Sequence, residues 1–428
     1  MNSFVLGMRT IGRRPLPAVL TLVLLMLGIA TVVVVLLFER ELEDRLGRDA
    51  RGVDLVVGAK GSGLQLVLSA VFHIDVPTGN VRLPELREIA RHPMVAGVIP
   101  LSLGDAYRGF RIVGTTHAYP DHYGARLAGG RLWERSMEAV AGARAARETG
   151  LREGSSFVGA HGLEGDSGFH HDEQPYRVVG VLRETGTVLD RLILVNSASV
   201  WEVHSVHDDP TPADAAGGAD EADPSSTEAS GAEKGAAGGN FGLPPGDREV
   251  TAMLVRYRTP LAAISLPRAI NSGTGLQAAS PAQETARLFY LVGTGLDAFR
   301  AFAGVLVVAS ALSLFIALWH ALHEQRYDLA VMRTLGASRG RILRFVLVQG
   351  AVLGAAGAAL GTALGHASGW VLAQWLERER NLSMGSLGWA PEEGVVIAGA
   401  VLIALVAAAV PAMRAYRLDV AAVLAERR

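Results

Sequence analysis

The residues from Pro17 to Phe38 read PAVLTLVLLMLGIATVVVVLLF, and no charge interrupts them. At about 1.5 Å per residue a helix of this length reaches roughly 33 Å, enough to cross the hydrocarbon core of a bilayer. Nothing comparable follows until AFAGVLVVASALSLFIALW at 301–319. After it, FVLVQGAVLGAAGAALGTALGHASGWVLAQWL (345–376) and VVIAGAVLIALVAAAVPA (395–412) come in quick succession. The chain is therefore expected to be an α-helical membrane protein with four transmembrane helices, one followed by three, and a large domain inserted between the first and second. The first run is longer than the apolar core of an export signal, and no small-residue cleavage pattern is evident after it. It reads as a retained anchor. The third run is too long for one perpendicular crossing and implies a tilted helix with an interfacial extension.

Arginine placement orients these spans. Arg9, Arg13 and Arg14 precede the first. The link at 320–344 carries Arg326, Arg333, Arg339, Arg341 and Arg344 against Glu324 and Asp328, and the tail at 413–428 carries Arg414, Arg417, Arg427 and Arg428 against Asp419 and Glu426. The loop at 377–394 has four glutamates against Arg378 and Arg380. Both termini (1–16 and 413–428) and the 320–344 link are thus expected on the cytoplasmic side, with 39–300 and 377–394 outside. Net charge is only -2, which gives no electrostatic reason to expect nucleic acid as a partner, and the absence of cysteine removes disulfides, thiol nucleophiles and thiolate metal sites.

The outer segment is long enough to bury a core of its own. RVVGVLRE (177–184), RLILVN (191–196) and EVTAMLVRYR (249–258) have the composition and partial alternation of strands, whereas LPELREIARH (83–92) and PAQETARLFYLVGTGLDAFRAF (281–302) read as helices, the latter running into the second span. This predicts a mixed α+β domain on a helical stalk. The stretch 208–247 is acidic, rich in alanine and glycine and poor in large apolar residues, so a disordered insertion is expected there.

GAKGSG, Gly58 to Gly63, has the residues of a phosphate loop in the wrong order. A phosphate loop needs its lysine after the second glycine and immediately before Ser or Thr at the mouth of a helix. A strand at 53–57, a turn permitted by Gly58 and Gly61, and a helix capped by Ser62 with Gln65 completing a capping box account for it better. Leu64, Val67, Leu68, Val71 and Phe72 then recur at helical spacing on one face, either as packing or as an outer contact for lipid, an acylated passenger or a partner protein. His161, His170 and His171 lie near Glu164, Asp166, Asp172 and Glu173, but no H-E-x-x-H spacing occurs and the segment reads as a polar loop. Neither a catalytic triad nor a metal or cofactor site is expected in this chain.

Gly357, Gly361, Gly365 and Gly369 recur every four residues in the third run, with Gly350 and Gly354 as a second such pair. Such stripes let helices approach closely, within one subunit or between two. Gln349 and His366 are polar inside this apolar run, and neither has an obvious charged partner in the other spans.

RYDLAVMRTLGASRGRILRFVLVQG, Arg326 to Gly350, resembles the segment joining the second and third spans of FtsX/MacB-type permeases of ATP-binding cassette systems, with Arg333, Leu335, Gly336, Ala337 and Ile342 on its most recognisable positions. PAMRAYRLDVAAVL, Pro411 to Leu424, is similar to the stretch after their fourth span. The segments 54–80, 180–196 and 286–293 resemble a recurrent, uncharacterised branch of that group. The resemblance implies a MacB-like domain with stalk over 39–300, a second permease subunit, and a cytoplasmic ATPase dimer that brings its own ATP and Mg. It also implies ATPase coupling through Arg333 to Ile342. Many relatives carry an acidic residue where this chain has Gln349. The implied role is mechanotransmission in the bacterial inner membrane, exporting or extracting an amphiphile such as a lipoprotein, lipid or peptide, with a periplasmic adaptor or lipoprotein carrier and membrane lipids as further partners. The alternative is an envelope regulator that transmits ATPase motion to a hydrolase or signalling partner.

Overall fold

With no breaker among its Leu, Val and Ile side chains, the first apolar run is helical from Pro15 to Asp49 in the computed structural model, which describes residues 15–161, 175–205, 248–380 and 388–417. Among the described residues four helices are long and apolar enough to cross a membrane: this one and those at Pro281–Glu324, Arg339–Arg380 and Pro391–Tyr416. Each overruns the apolar stretch that announces it. The reason is that apolarity marks what suits lipid, while helix length depends on backbone preference, and flanks such as ERELEDRL at 39–46 consist largely of good helix formers. The insertion at 208–247, most of the N-terminal segment, residues 381–387 of the loop, residues 418–428 of the tail, and His170 and His171 lie outside the described residues.

Two compact units result, Met1–Glu43 with Tyr290–Arg428, and Asp44–Phe289. The first is helical. One of its cores joins Leu314, Leu318, Leu329, Ile342, Phe345, Val346 and the small residues Ala408, Ala412 and Ala415.

The second is the mixed α+β domain. Its main sheet runs in the order Leu276–Ala279, Leu55–Ala59, Ala252–Tyr257, Val95–Tyr107, Phe110–Thr115, Leu192–Asn196, Glu138–Ala141, Tyr176–Leu182 and Leu127–Gly130. Two of these pairings are parallel, Phe110–Thr115 with Leu192–Asn196 and Glu138–Ala141 with Tyr176–Leu182. The strand Val95–Tyr107 serves two cores: Val95 and Val98 pack with Leu55, Met253 and Leu276, while its far end, at Tyr107, packs against Phe110, Ile193 and Tyr176. The expected strand at 249–258 is interrupted. Glu249–Val250 pairs with Val81–Arg82 and Ala252–Tyr257 joins the main sheet. Thr251 makes the break: its N–H donates to the Leu101 carbonyl at 2.9 Å and its Oγ1 accepts from the Leu103 N–H at 2.9 Å.

Around GAKGSG the strand lies two residues later than expected, at Leu55–Ala59, because the Asp54 carboxylate accepts the Tyr257 N–H at 2.6 Å and ends the preceding turn. Gly58 is thus a strand residue rather than part of the turn, and a Cβ there would sit 2.6 Å from Leu66 Cδ1. Ser62 Oγ does accept the Gln65 N–H, at 3.4 Å. The reciprocal half of the capping box is not made: Gln65 Nε2 donates instead to the Val76 carbonyl at 3.1 Å. Lys60 Nζ donates to the carbonyls of Asn271 at 2.7 Å and Leu276 at 3.1 Å, which uses the ammonium to cap backbone.

At the other end of the domain Arg131 grips Glu138, which also accepts the N–H groups of Glu134 and Arg135. These bonds hold the carboxyl at about 2, against an ordinary 4.5. The folded state therefore binds this proton less readily than the unfolded chain does. The clamp's contribution is full above roughly pH 4.5 and is lost as pH falls towards 2. Thermal scans of Glu138→Gln beside the parent should show a deficit at pH 7 that shrinks progressively below pH 4.5; a pH-independent deficit would refute the ionic account.

Candidate coupling site

The second span's helix ends at Glu324, and a short amphipathic helix, Arg326–Thr334, follows directly. Leu329 and Ala330 turn inward to the core shared with Ile342 and Phe345, which fixes this helix against the membrane unit. Its end is set by Gly336, whose φ of +94° is a left-handed conformation that glycine adopts without steric cost. The Gly336 N–H donates to the Arg333 carbonyl at 3.1 Å and the Ala337 N–H to the Met332 carbonyl at 3.0 Å. This pair of bonds is the Schellman arrangement that closes a helix and satisfies its last carbonyls. From Ser338 the chain re-enters a helix, the Arg341 N–H donating to the Ser338 carbonyl at 2.9 Å.

This tight reversal leaves Leu335 81% exposed, an apolar tip on a polar turn. Arg326, Arg339, Arg341 and Arg344 are exposed on the two helices that flank the turn, as is Tyr327. An exposed leucine in a segment with several exposed guanidiniums suits a partner surface that offers an apolar pocket and acidic groups. Of the five expected coupling residues, Leu335 and Gly336 are on this surface, and Arg333 and Ala337 are half-buried beside it. Ile342 is not: at 2% exposure it belongs to the internal core, because it lies one turn into the next helix on the side that meets Leu318 and Ala412. Its place in a contact with another protein is therefore corrected to a supporting one.

The glycines divide between two neighbours. A Cβ on Gly357, Gly361 or Gly365 would fall within 3 Å of Leu25, Ile29 or Val33 respectively, on the first span; a Cβ on Gly350 or Gly354 would fall 2.6 Å from Ala408 or Ala404 of the fourth. Gly369 is buried further along the same helix. The third span thus sits between two helices of its own chain. Gln349 is buried, and His366 has a charged partner after all: its Nε2 lies 2.9 Å from Glu393 Oε2, and Oε1 of that fully buried carboxylate accepts the Ala390 N–H at 2.9 Å. Glu393 stands in the first turn of the fourth helix, so the pair joins two elements that no sequence spacing connects. Glu393 precedes the fourth apolar run and was counted with the loop, so the composition of the runs carried no signal for the pair.

The expected outer contact at Leu64, Val67, Leu68, Val71 and Phe72 is corrected. Val67, Val71 and Phe72 are buried inside the domain and only Leu64 and Leu68 are partly open. The helix extends only over Gly63–Ala70, so Val71 and Phe72 do not share its outer face. Exposed apolar side chains occur instead at Ile74, Val76, Leu261 and Ile264. Among the described residues no three His, Asp or Glu side chains are grouped as metal ligands.

Comparison with known proteins gives two family models. One is described as the MacB-like periplasmic core domain and matches residues 18–222; the other, the FtsX-like permease C-terminal domain, matches 300–420. A search of curated proteins gives no match. Among solved structures, the periplasmic region of MacB from Actinobacillus actinomycetemcomitans is 12% identical with a TM-score of 0.32, covering 56% of this chain and 95% of that one. The extracellular domain of the noncanonic ABC-type transporter YknZ from Gram-positive bacteria is 13% identical with a TM-score of 0.29, covering 53% and 98%. The two family models follow one another along the chain as the first helix, the sheet domain and the three later spans do, and the chain belongs to the FtsX/MacB-type permeases.

Proposed function

We propose that this chain is the membrane subunit of an ATP-driven complex, converting motion of a cytoplasmic ATPase dimer into movement of the outer domain so as to export or extract an amphiphilic substrate. ATP and Mg belong to the partner chains, and a second permease completes the complex. The observation that carries this reading is the exposed Leu335 on its glycine-closed turn, beside a helix held by a core, within the residues that the FtsX-like permease model matches.

Purification from the native host in gentle detergent, followed by mass spectrometry of retained proteins and lipids, tests partner and cargo together. Recovery of an ATP-binding cassette ATPase with lipid or lipoprotein supports the proposal; recovery of a peptidoglycan hydrolase without cargo would move it to regulation. Orientation has its own test, since the chain has no cysteine of its own. A membrane-impermeant maleimide should label Ile264→Cys in intact cells or spheroplasts and Leu335→Cys only after the membrane is opened. The reverse pattern would invert the topology.

A further inference from the structure

Two segments that resemble the uncharacterised branch, 54–80 and 180–196, have no part in the coupling site. They meet at the end of the first long helix. Asp49, its last residue, is 2% exposed, and its Oδ2 receives Arg191 Nη2 at 3.1 Å. The same Nη2 donates to the Phe72 carbonyl at 2.8 Å. The Tyr123 hydroxyl donates to the Asp49 carbonyl at 2.6 Å, and a ring nitrogen of His122 bonds the Arg51 carbonyl at 2.8 Å. Beside them His73 holds a left-handed φ of +52° and shares a 2.9 Å hydrogen bond with the buried Tyr119 hydroxyl. Burial, then the neighbouring Arg111 and Arg191, push the His73 imidazole well below its ordinary range, so it stays neutral.

We propose that the Asp49–Arg191 pair and the hydrogen bonds around it form the joint through which the first long helix drives the outer domain. A buried ion pair is poor evidence for stability, since apolar residues of similar volume hold an interior equally well or better. What it supplies is direction. One guanidinium bonded both to the Asp49 carboxylate and to the Phe72 backbone, with Tyr123 on the Asp49 main-chain carbonyl, resists rotation and sliding that an apolar contact would permit. The helix end is thereby fixed to the turn at Val188–Arg191, to the chain after the Gly63–Ala70 helix and to the Ala118–His122 helix. A pull on the helix reaches the Leu192–Asn196 strand through one residue of backbone.

This inference rests on the mechanotransmission reading. Its test uses the full permease with its ATPase in nanodiscs, comparing hydrogen exchange at 185–196 with and without ATP and vanadate. The parent complex should show a nucleotide-dependent change there. The apolar replacement Asp49→Leu with Arg191→Met should retain ATPase binding and thermal midpoint within a few degrees, while that change falls at least threefold. A purely structural pair would instead alter the midpoint and leave the nucleotide response at parental size, and that result overturns the joint. Should the apolar pair fail to fold, Arg191→Lys, which keeps the charge but replaces the rigid planar guanidinium with a flexible ammonium, carries the test: a reduced response supports the joint and a parental one refutes it. A parent complex that binds ATPase but shows no nucleotide response overturns the joint together with the mechanotransmission reading.

Discussion

An aspartate at Leu335 is expected to leave the permease folded and inserted while cutting capture of its ATPase at least tenfold; an aspartate at Ile342 is expected to eliminate the folded protein. The two residues lie seven apart in one segment and both are apolar, yet their surroundings are opposite. Leu335 has given up almost no surface to its own chain, so replacing it costs the permease little, within the roughly 0.5 kcal/mol usual for exposed positions. If a partner groove receives it, the loss is the burial of a leucine, about 1.5–3 kcal/mol, with a desolvated carboxylate added. A tenfold loss of affinity needs only about 1.4 kcal/mol. Ile342 is enclosed by Leu318, Phe345 and Ala412, where a carboxylate would be buried without a partner at a cost of several kcal/mol. Size-exclusion profiles in detergent and quantified co-elution of the ATPase separate the cases. Parental capture by the Leu335→Asp protein would place coupling elsewhere.

The spans were legible because their apolar runs are long and free of charge. What escaped reading depends on distance in sequence. The Glu249–Arg258 alternation continues straight through Thr251, and only the carbonyl of Leu101 and the amide of Leu103 reveal that the strand changes partner there. The face drawn through Leu64, Val67, Leu68, Val71 and Phe72 assumed a helix longer than Gly63–Ala70; once the helix stops, Leu66, Val67 and Ala70 turn inward and the last two residues are placed by the loop. Asp49 with Arg191, and His366 with Glu393, are pairs that only the fold brings together. Periodicity sees one element at a time, and each of these sites is made by at least two.

Alanine at Gly361 and alanine at Gly304 are expected to move stability in opposite directions. Both positions are helical glycines within apolar spans, so on propensity alone either substitution should help by up to about 1 kcal/mol. At Gly361 the new methyl would sit 2.7 Å from Ile29 Cβ and 2.9 Å from the Met26 carbonyl oxygen. A backbone carbonyl and a β-branched residue cannot rotate away, and the first and third spans must separate, at a cost of about 1–3 kcal/mol from overpacking. At Gly304 nothing lies within 4 Å, so the propensity gain should stand. Thermal midpoints in detergent should therefore fall by several degrees for Gly361→Ala, fall further for Gly361→Leu, and hold or rise for Gly304→Ala. Equal midpoints for the two alanine variants would show that the glycine stripe does not set the spacing of these helices. A loss at Gly304 confined to the assembled complex would instead mean that another subunit covers that face, because the packing that penalises the methyl would then come from outside the chain.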